Sequence, residues 1–434
     1  MLYYSTNHKS APVSLREAVL RGLPDDNGLY MPQAINQVPE KFIKQLPDLS
    51  FQEIALQVAR TLLREELDDN MLRSIIEEAI NFDAPLVEVK ENCYTLELFH
   101  GPTLAFKDFA ARFMAKLMGY YVRHDNRELT ILVATSGDTG SAVANGFLKV
   151  PGIRVVLLYP AGKVSEIQER QLTTLGHNIT ALKVAGTFDD CQRMVKTAFL
   201  DSDLQECLFL TSANSINIAR LIPQTFYYFR AISQLPSPAL PAVVSVPSGN
   251  FGNLTAGLMA RRMGLPIKDF VAATNINDVV PEYLHSGRFA PRPSERTLSN
   301  AMDVGNPSNF ARMLALFDND AAAMRKEIHG YAFTDAQTTE KIREIFRDFD
   351  YVLDPHGAVG LLGLEAYLNA HNHPRAAGIF FETAHPAKFK EIVEEAIDAE
   401  IALPEALEEP FRKTPHAIPI SKEYNSLKDI LTSL

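Results

Sequence analysis

The chain has 434 residues, more than one hydrophobic core usually organises, so two or three domains are expected. Hydrophobic residues make up 46% and charged residues 22%, which is typical of a soluble globular protein. The formal net charge of −11 at pH 7 excludes broad nucleic-acid binding, so any anionic ligand has to be held by a local cluster of donors.

Residues 1 to about 90 contain the segments SFQEIALQVARTLLREEL and NMLRSIIEEAI, in which apolar residues recur at helical spacing. Strand patterns are scarce in this part of the chain. The pattern predicts an α-rich N-terminal domain. The first residues lack a basic region followed by an apolar one, and no apolar run approaches the about 18 residues that span a bilayer. We therefore expect a cytoplasmic protein without a membrane segment.

After residue 90, short apolar runs alternate with helical segments. The runs are LTILVA (129–134), RVVLLY (154–159), AVVSV (242–246), DFVAAT (269–274) and GIFFET (378–383). This alternation predicts parallel sheets with helices on both faces. In such sheets ligands bind at the carboxyl ends of the strands, so the polar loops that follow the runs are the candidate sites.

Lys107 lies in HGPTLAFKDFAARFM (100–114), in the first turn of a predicted helix that has one apolar face. The helix dipole and burial both lower the pKa of a lysine there, which makes its amine more nucleophilic. Lys107 is therefore a candidate for a Schiff-base link to a carbonyl compound. The alternative is a lysine that reaches solvent or pairs with Asp108.

Two glycine-containing loops connect a strand with a helix. PSGNFGN (247–253) can turn backbone N–H groups inward at a helix N-terminus and form a phosphate cup, without Walker or dinucleotide spacing. TSGDTGSA (135–142) can bind a second anion, provided that Asp138 points away. Either loop is also compatible with a simple turn or helix cap.

Three further features complete the candidate site. Arg220 in SANSINIAR can clamp a phosphate, or can lie in solvent at the start of a helix. Thr383 in TAHPAKFK offers a neutral hydroxyl at a strand end. An activated lysine, a phosphate cup, a second anion loop and a neutral hydroxyl together describe what pyridoxal phosphate needs.

The remaining candidates for special chemistry carry no prediction. Cys93, Cys191 and Cys207 are odd in number and widely spaced, which argues against disulfides and fits a reducing compartment. His371 and His373 have no third ligand at metal-site spacing, so no metal is predicted.

The motifs HGPTLAFKDFAARFM, ATSGDTGSA, NSINIAR, VPSGNFGNLTAG and TAHPAKFK resemble those of the threonine synthase family, in its longer form with an extra N-terminal domain. The resemblance implies a fold-type II pyridoxal-phosphate enzyme of the tryptophan synthase β-like class, with two parallel-sheet α/β domains plus the α-rich N-terminal domain. The predicted division gives 1–92 to the N-terminal domain, 93–120 and 215–434 to a larger cofactor-binding domain, and 121–214 to a smaller α/β domain.

The resemblance also implies roles for individual residues. Lys107 would hold pyridoxal phosphate covalently, and Thr383 would meet the pyridine nitrogen. The residues expected to cradle the cofactor phosphate are Gly249, Asn250, Phe251, Gly252 and Asn253. The residues expected to bind substrate are Thr135, Ser136 and Thr139, with Asn214, Ser215 and Arg220 for the departing phosphate. Relatives of this fold often have Asn where this chain has Asp138, so no cofactor contact is assigned to Asp138.

The implied reaction converts O-phospho-L-homoserine and water to L-threonine and phosphate by γ-elimination and β-addition of water, in a monomer or homodimer. Lys107 would act as base and acid at successive carbons. A pyridoxal-phosphate-dependent serine or threonine dehydratase is the nearest alternative and has no need of a second phosphate clamp at Arg220. A non-catalytic relative that binds a phosphate ligand is another alternative. A plain nucleotide-binding α/β protein is disfavoured because the fingerprints of that class are absent.

Overall fold

The structure is a computed structural model that describes residues 1–63, 66–123, 125, 127–236, 241–371 and 376–433. His373, one of the histidine pair considered above, lies outside the described residues. The strands are β1 (Tyr3–Ser5), β2 (Tyr30–Pro32), β3 (Leu86–Lys90), β4 (Cys93–Glu97), β5 (Leu129–Ala134), β6 (Ile153–Pro160), β7 (Ile179–Ala185), β8 (Phe209–Ser212), β9 (Ala242–Pro247), β10 (Ile267–Thr274), β11 (Ile328–Ala332), β12 (Ala377–Glu382) and β13 (Ile418–Ser421).

The helices alternate with these strands through most of the chain. They are α1 (Leu15–Arg21), α2 (Glu40–Gln45), α3 (Phe51–Leu63), α4 (Asp69–Ala79), α5 (Lys107–Val122), α6 (Asp138–Phe147), α7 (Glu166–Thr173), α8 (Phe188–Leu200), α9 (Ser202–Cys207), α10 (Ile218–Leu221), α11 (Gln224–Ser233), α12 (Gly252–Arg262), α13 (Val279–Ser286), α14 (Phe310–Leu316), α15 (Ala321–Arg325), α16 (Asp335–Phe349), α17 (Pro355–His371), α18 (Lys390–Ile397), α19 (Glu405–Glu408) and α20 (Tyr424–Ser433).

The N-terminal region consists of helices α1 to α4 and a small antiparallel pair, β1 with β2. The apolar residues of α3 recur every three or four positions, so Ile54, Val58 and Leu62 form one buried face. α3 packs against α11, and α4 packs against α5. The predicted α-rich character is confirmed. The β1–β2 pair escaped prediction because strands of three residues are too short to show an alternating pattern.

Two sheets form the rest of the molecule, and all five predicted strand runs lie in them. The larger sheet has the order β11-β10-β9-β12-β4-β3, in which the pairs are parallel except for β3 with β4. The smaller sheet has the order β13-β7-β6-β5-β8 and is parallel throughout. The predicted class, two parallel-sheet α/β units with an N-terminal domain, is confirmed.

The sheet pairing does not follow the predicted domain boundaries at two places. β3 belongs to the larger sheet although it falls within 1–92, and β13 belongs to the smaller sheet although it falls within 215–434. β13 has four residues, three of them exposed, and one is a proline, so the sequence pattern of a strand is weak there. The boundaries themselves stay a prediction.

One hydrophobic core joins the N-terminal helices to both sheets through α5. Phe109 and Phe113 of α5 are fully buried in it, and each such side chain contributes about 1.5–3 kcal/mol to the free energy of unfolding. α5 is thereby held rigidly in place, and its first residue is Lys107. Among the described residues, no helix combines the length and the apolar character needed to cross a membrane.

Candidate active site

Lys107 is the first residue of α5 and lies beside the carboxyl end of β12. The N–H group of the preceding Phe106 donates to the carbonyl oxygen of Thr383 at 2.9 Å. Leu104 has a φ of 55°, a strained conformation for a branched side chain, so the backbone turns sharply just before the lysine. The predicted position of Lys107 in the first helical turn is confirmed.

The side chain of Lys107 is largely enclosed, with 14% of its surface exposed. Burial lowers the pKa of Lys107, while the carboxylate of Asp138 opposes this effect. The cations Lys388 and Arg220 lower the pKa further. The surroundings of Lys107 therefore favour the neutral, nucleophilic amine.

Asp108 is not the partner of Lys107. It is fully buried, and its carboxylate accepts hydrogen bonds from the N–H group of Thr103 at 2.8 Å and from the Thr103 hydroxyl at 2.7 Å. A Cβ on Gly101 would lie 2.5 Å from the carboxylate, so the turn needs glycine there. Thr103 therefore fastens the turn to α5 through Asp108, and Lys107 is left free of this network.

The carboxylate nearest to Lys107 is that of Asp138, the first residue of α6. Its Oδ2 atom lies 3.8 Å from Nζ of Lys107, and its Oδ1 atom accepts from Nζ of Lys388 at 2.8 Å and from Nε2 of Gln168 at 3.1 Å. Burial alone would raise the pKa of Asp138, but the two ammonium groups outweigh burial and hold it below its ordinary value. Asp138 is therefore an ionised group that faces two lysines.

Lys388 was missed by the sequence reasoning, although TAHPAKFK contains it. Its side chain is 0% exposed, and its Nζ also donates to the carbonyl oxygen of Thr103 at 2.9 Å. It lies in the turn Pro386–Phe389, which follows Thr383. Lys388 thus connects the loop after β12 of the larger sheet to α6 of the smaller sheet.

The predicted phosphate cup lies between β9 and α12. Within the described residues, the N–H groups of residues 249–252 donate to no protein acceptor, and α12 begins at Gly252. Phe251 has a φ of 60°, so the backbone is curled just before the helix. A Cβ on Gly249 would lie 2.7 Å from the carbonyl oxygen of Ala301. Free amide donors at the N-terminus of an 11-residue helix fit a phosphate group.

Asn309 is a second residue that the sequence did not reveal. Its side chain is fully buried, and within the described residues its Nδ2 atom has no hydrogen-bond partner. That atom lies 3.3 Å from the place that a Cβ on Gly252 would take, and the Asn309 N–H group donates to the carbonyl oxygen of Asn250 at 3.2 Å. The cup therefore has an additional unused donor beside it.

Arg312 fixes the orientation of Asn309. Its Nη1 atom donates to Oδ1 of Asn309 at 2.6 Å, which leaves the amide nitrogen of Asn309 on the side of Gly252. The other hydrogen bonds of this fully buried guanidinium reach the carbonyl oxygens of Tyr30, Ser215 and Ile216. Burial lowers the pKa of Arg312 to about 9. Arg312 joins the N-terminal region to two loops of the candidate site.

The backbone of Thr383 is hydrogen-bonded to the carboxylate of Asp354. Oδ2 of Asp354 accepts from the Thr383 N–H group at 3.3 Å, and Oδ1 lies 2.6 Å from Nδ1 of His356. Nε2 of His356 accepts from the N–H group of Ala301 at 3.3 Å, so Nδ1 carries the hydrogen. Since Ala301 packs against Gly249, this chain of contacts joins Thr383 to the phosphate cup.

Glu382, the residue before Thr383, leads to a prediction about how the stability of the protein depends on pH. It is fully buried, and burial together with the charge of Asp354 raises the pKa of Glu382 well above 4.5. The folded chain therefore keeps a proton that the unfolded chain releases, so stability from this group is lost as the pH rises above about 4.5. Glu382→Gln should match the wild type in thermal unfolding near pH 4 and have the higher melting temperature at pH 8.

The measurement is the melting temperature of the cofactor-free protein from pH 4 to pH 8. The surface substitution Glu391→Gln is the matched control and should follow the wild type throughout. Parallel curves for Glu382→Gln and the wild type would mean that Glu382 is ionised in the folded protein.

Arg220 is buried, with 3% of its surface exposed, so the alternative of a solvated arginine is wrong. Its Nη1 atom donates to the carbonyl oxygen of Ala213 at 2.6 Å, and within the described residues its Nε atom has no partner. Burial lowers the pKa of Arg220 to about 10, so it stays charged near neutral pH. Asn214 has an unpartnered Oδ1 atom, and Ser215 is half-buried. A buried cation with an unused donor suits an anionic ligand.

The loop after β5 is shaped by Thr135. Its hydroxyl oxygen accepts from the N–H groups of Gly137 at 3.0 Å and Gly140 at 2.8 Å, and Gly137 has a φ of 136°. The two other hydroxyl residues predicted for this loop are more accessible, since Ser136 is exposed and Thr139 is half-buried. The Thr135 hydroxyl is engaged in the loop itself.

Three family models match the chain. They are "Pyridoxal-phosphate dependent enzyme" over residues 82–380, "Threonine synthase N terminus" over residues 2–80 and "Threonine synthase, C-terminal" over residues 357–431. Together they cover the N-terminal region, both sheets and the C-terminal segment. The first model confirms the expected cofactor, pyridoxal phosphate.

Individual relatives match over nearly their whole length. Threonine synthase from Escherichia coli (strain K12) is 44% identical over 410 residues, and that from Haemophilus influenzae is 46% identical over 409 residues, with 94% of each chain covered in both cases. The crystal structure of pyridoxal-phosphate-bound threonine synthase from Brucella melitensis superposes with a TM-score of 0.93 at 34% identity, covering 100% of this chain and 99% of that chain. The chain therefore belongs to the threonine synthase family of pyridoxal-phosphate-dependent enzymes.

Proposed function

We propose that the chain converts O-phospho-L-homoserine and water to L-threonine and phosphate. The observation that carries the proposal is the buried Arg220. Its Nε atom has no partner among the described residues, and its charge lowers the pKa of Lys107. The phosphate cup at residues 249–253 is a second, separate anion site. Donors are thus available for two phosphate groups, one on the cofactor and one on the substrate.

Lys107 is the residue proposed for covalent attachment and for proton transfer. When bound, pyridoxal phosphate supplies an electron sink for the carbons next to the substrate amino group. Lys107 would hold the cofactor, and its amine, once free, would move protons at successive carbons of the substrate. The burial that lowers the pKa of Lys107 favours the neutral, basic form of this amine.

The cofactor would be held at both ends by residues of the larger sheet. The residues proposed for its phosphate are Gly249, Asn250, Phe251, Gly252 and Asn253, and Asn309 adds its unused amide nitrogen. The hydroxyl of Thr383 would meet the pyridine nitrogen. Unlike a carboxylate, a neutral hydroxyl does not hold that nitrogen protonated.

The substrate would be held by the loops of the smaller sheet. Arg220, Asn214 and Ser215 are proposed for the phosphate that leaves from Cγ, since Arg220 is a buried cation that donates to the carbonyl oxygen of Ala213. Ser136 and Thr139 are proposed for the substrate carboxylate at the start of α6. Thr135 belongs to the same set as the residue that shapes the loop.

The proposed assembly is a monomer or homodimer in the cytoplasm. The three cysteines are free: Cys93 and Cys191 are buried and Cys207 is exposed. Unpaired thiols suit a reducing compartment. Size-exclusion chromatography with light scattering measures the mass of the assembly against the 48.3 kDa of one chain.

A product assay tests the reaction. The purified protein is incubated with pyridoxal phosphate and O-phospho-L-homoserine, and threonine and phosphate are quantified. Equal amounts of the two products are expected, and L-serine should give little pyruvate under the same conditions. Pyruvate from serine without threonine from phosphohomoserine would transfer the assignment to the dehydratase class.

Arg220→Ala should impair use of the substrate much more than binding of the cofactor. A charged hydrogen bond to phosphate is worth about 3 kcal/mol, so kcat/KM for O-phospho-L-homoserine should fall about 100-fold or more. The Kd of pyridoxal phosphate should change less than about threefold, since the cofactor phosphate has its own cup. Arg193→Ala, which removes an exposed arginine of the smaller sheet's helix α8, is the control. Equal losses in both quantities would mean that Arg220 only supports the fold.

A further inference from the structure

Two enclosed lysines, Lys107 and Lys388, lie close to the same carboxylate, that of Asp138. Oδ1 of Asp138 lies 2.8 Å from Nζ of Lys388, and Oδ2 lies 3.8 Å from Nζ of Lys107. The first contact is a close, charge-assisted hydrogen bond, and the second is a looser electrostatic contact. The shorter ion pair of Asp138 is therefore the one with Lys388. The proposed reaction gives Lys388 no role.

We propose that Lys388 is a positioning residue that neutralises Asp138, so that the Lys107 amine beside it is available as the neutral nucleophile. Without Lys388, Asp138 would have Lys107 as its remaining cationic neighbour within ion-pair distance among the described residues. A buried carboxylate then gains most by keeping a proton on that amine. Because Lys388 already compensates the charge of Asp138, a proton on the Lys107 amine is less strongly favoured.

Lys388 is enclosed between two oxygen acceptors. Its side chain is 0% exposed, and it donates to Asp138 and to the carbonyl oxygen of Thr103. Asp138 is also held by Nε2 of Gln168, so the carboxylate cannot turn freely towards Lys107. Lys388 touches neither Lys107 nor the phosphate cup in any hydrogen bond of the described residues.

The other charges that face Lys107 do not replace this role. Arg220 lowers the pKa of Lys107 as well, but it lies against the carbonyl oxygen of Ala213 and does not pair with Asp138. Asp354 raises the pKa of Lys107, but its carboxylate is already occupied by His356 and by backbone N–H groups. Lys388 differs from both groups because it directly contacts Asp138, the carboxylate that raises the pKa of Lys107.

The experiment measures the protonation of Lys107 in the cofactor-free protein. The wild type and Lys388→Met are labelled with a trace of acetic anhydride from pH 6 to pH 11, and the label on the Lys107 peptide is quantified by mass spectrometry. Loss of the neighbouring cation should move the labelling midpoint of Lys107 upward by at least about one pH unit, which is about tenfold less label at any pH well below both midpoints. Lys390→Met, which removes a lysine paired with Glu394 on α18, should leave the midpoint unchanged.

Two further variants make the result decisive. Lys388→Arg keeps the cation and should leave the midpoint near that of the wild type. Lys388→Gln keeps a donor for Asp138 without the charge, so it should shift the midpoint as methionine does, and it replaces the methionine variant if that chain does not fold. An unchanged midpoint in the neutral variants would overturn the proposal. The role of Lys388 rests on the proposed role of Lys107, but this readout needs no turnover, so its failure is distinguishable from failure of the threonine assay.

Discussion

Replacing Lys107 by alanine is expected to stop threonine formation and to remove the covalent attachment of the cofactor. Lys107 is the first residue of α5, and the residue before it is hydrogen-bonded to Thr383. Activity should fall by at least about 1,000-fold, because covalent attachment and proton transfer are both lost. Threonine formation and the mass of the borohydride-reduced protein measure the two losses separately.

The fold should tolerate this change, since alanine favours helices and Asp138 keeps Lys388 as its partner. Lys116→Ala is the matched control on the same helix, where the lysine is solvated and pairs with Glu78. It should retain both activity and the cofactor mass. A normal rate, or a cofactor mass that persists in Lys107→Ala, would remove Lys107 from the site.

Replacing Arg312 by methionine is expected to be the most destabilising of the substitutions considered. Its guanidinium makes five hydrogen bonds, four of them to carbonyl oxygens of Tyr30, Ser215 and Ile216 and one to Asn309. Methionine fills similar space but leaves these buried acceptors without donors. The free energy of unfolding should fall by about 3–5 kcal/mol, as measured by urea denaturation of the cofactor-free protein.

A weaker cofactor complex should accompany the loss of stability, because Asn309 is no longer oriented towards the cup. The Kd of pyridoxal phosphate should rise about tenfold. Arg262→Met on α12 is the control, since that side chain is about one third exposed and pairs with Glu327 at the surface. It should cost less than about 1 kcal/mol. A loss of that small size for Arg312→Met would contradict the role of its buried hydrogen bonds.

The sequence predicted the parts of the molecule that depend on local pattern. A buried parallel strand is a continuous apolar run, so β5, β6, β9, β10 and β12 were recognisable without any knowledge of their neighbours. Lys107 was recognisable because an apolar helix face places it in the first turn. The glycines at 249 and 252 marked a backbone that approaches other groups closely.

The parts that escaped prediction depend on partners distant in the sequence. Lys388 acquires its role from Asp138, and Arg312 from carbonyl oxygens near residues 30 and 215. A lysine or arginine within a helical pattern normally reaches solvent, and nothing local to either residue shows that it is buried. Asn309 was hidden for the same reason, since its free amide nitrogen is evident only beside Gly252.

The strand β13 has a consequence for the order in which the molecule is made. Ile418 pairs with Leu182, so the outer strand of the smaller sheet leaves the ribosome after every other strand of both sheets. Until then β7 is an open edge, with backbone groups that can pair with another chain. We expect a chain that stops before residue 418 to keep that edge exposed and to aggregate during synthesis. Once β13 has paired, the edge of the sheet is a strand of four residues that contains Pro419, which is a poorer template for another chain than β7.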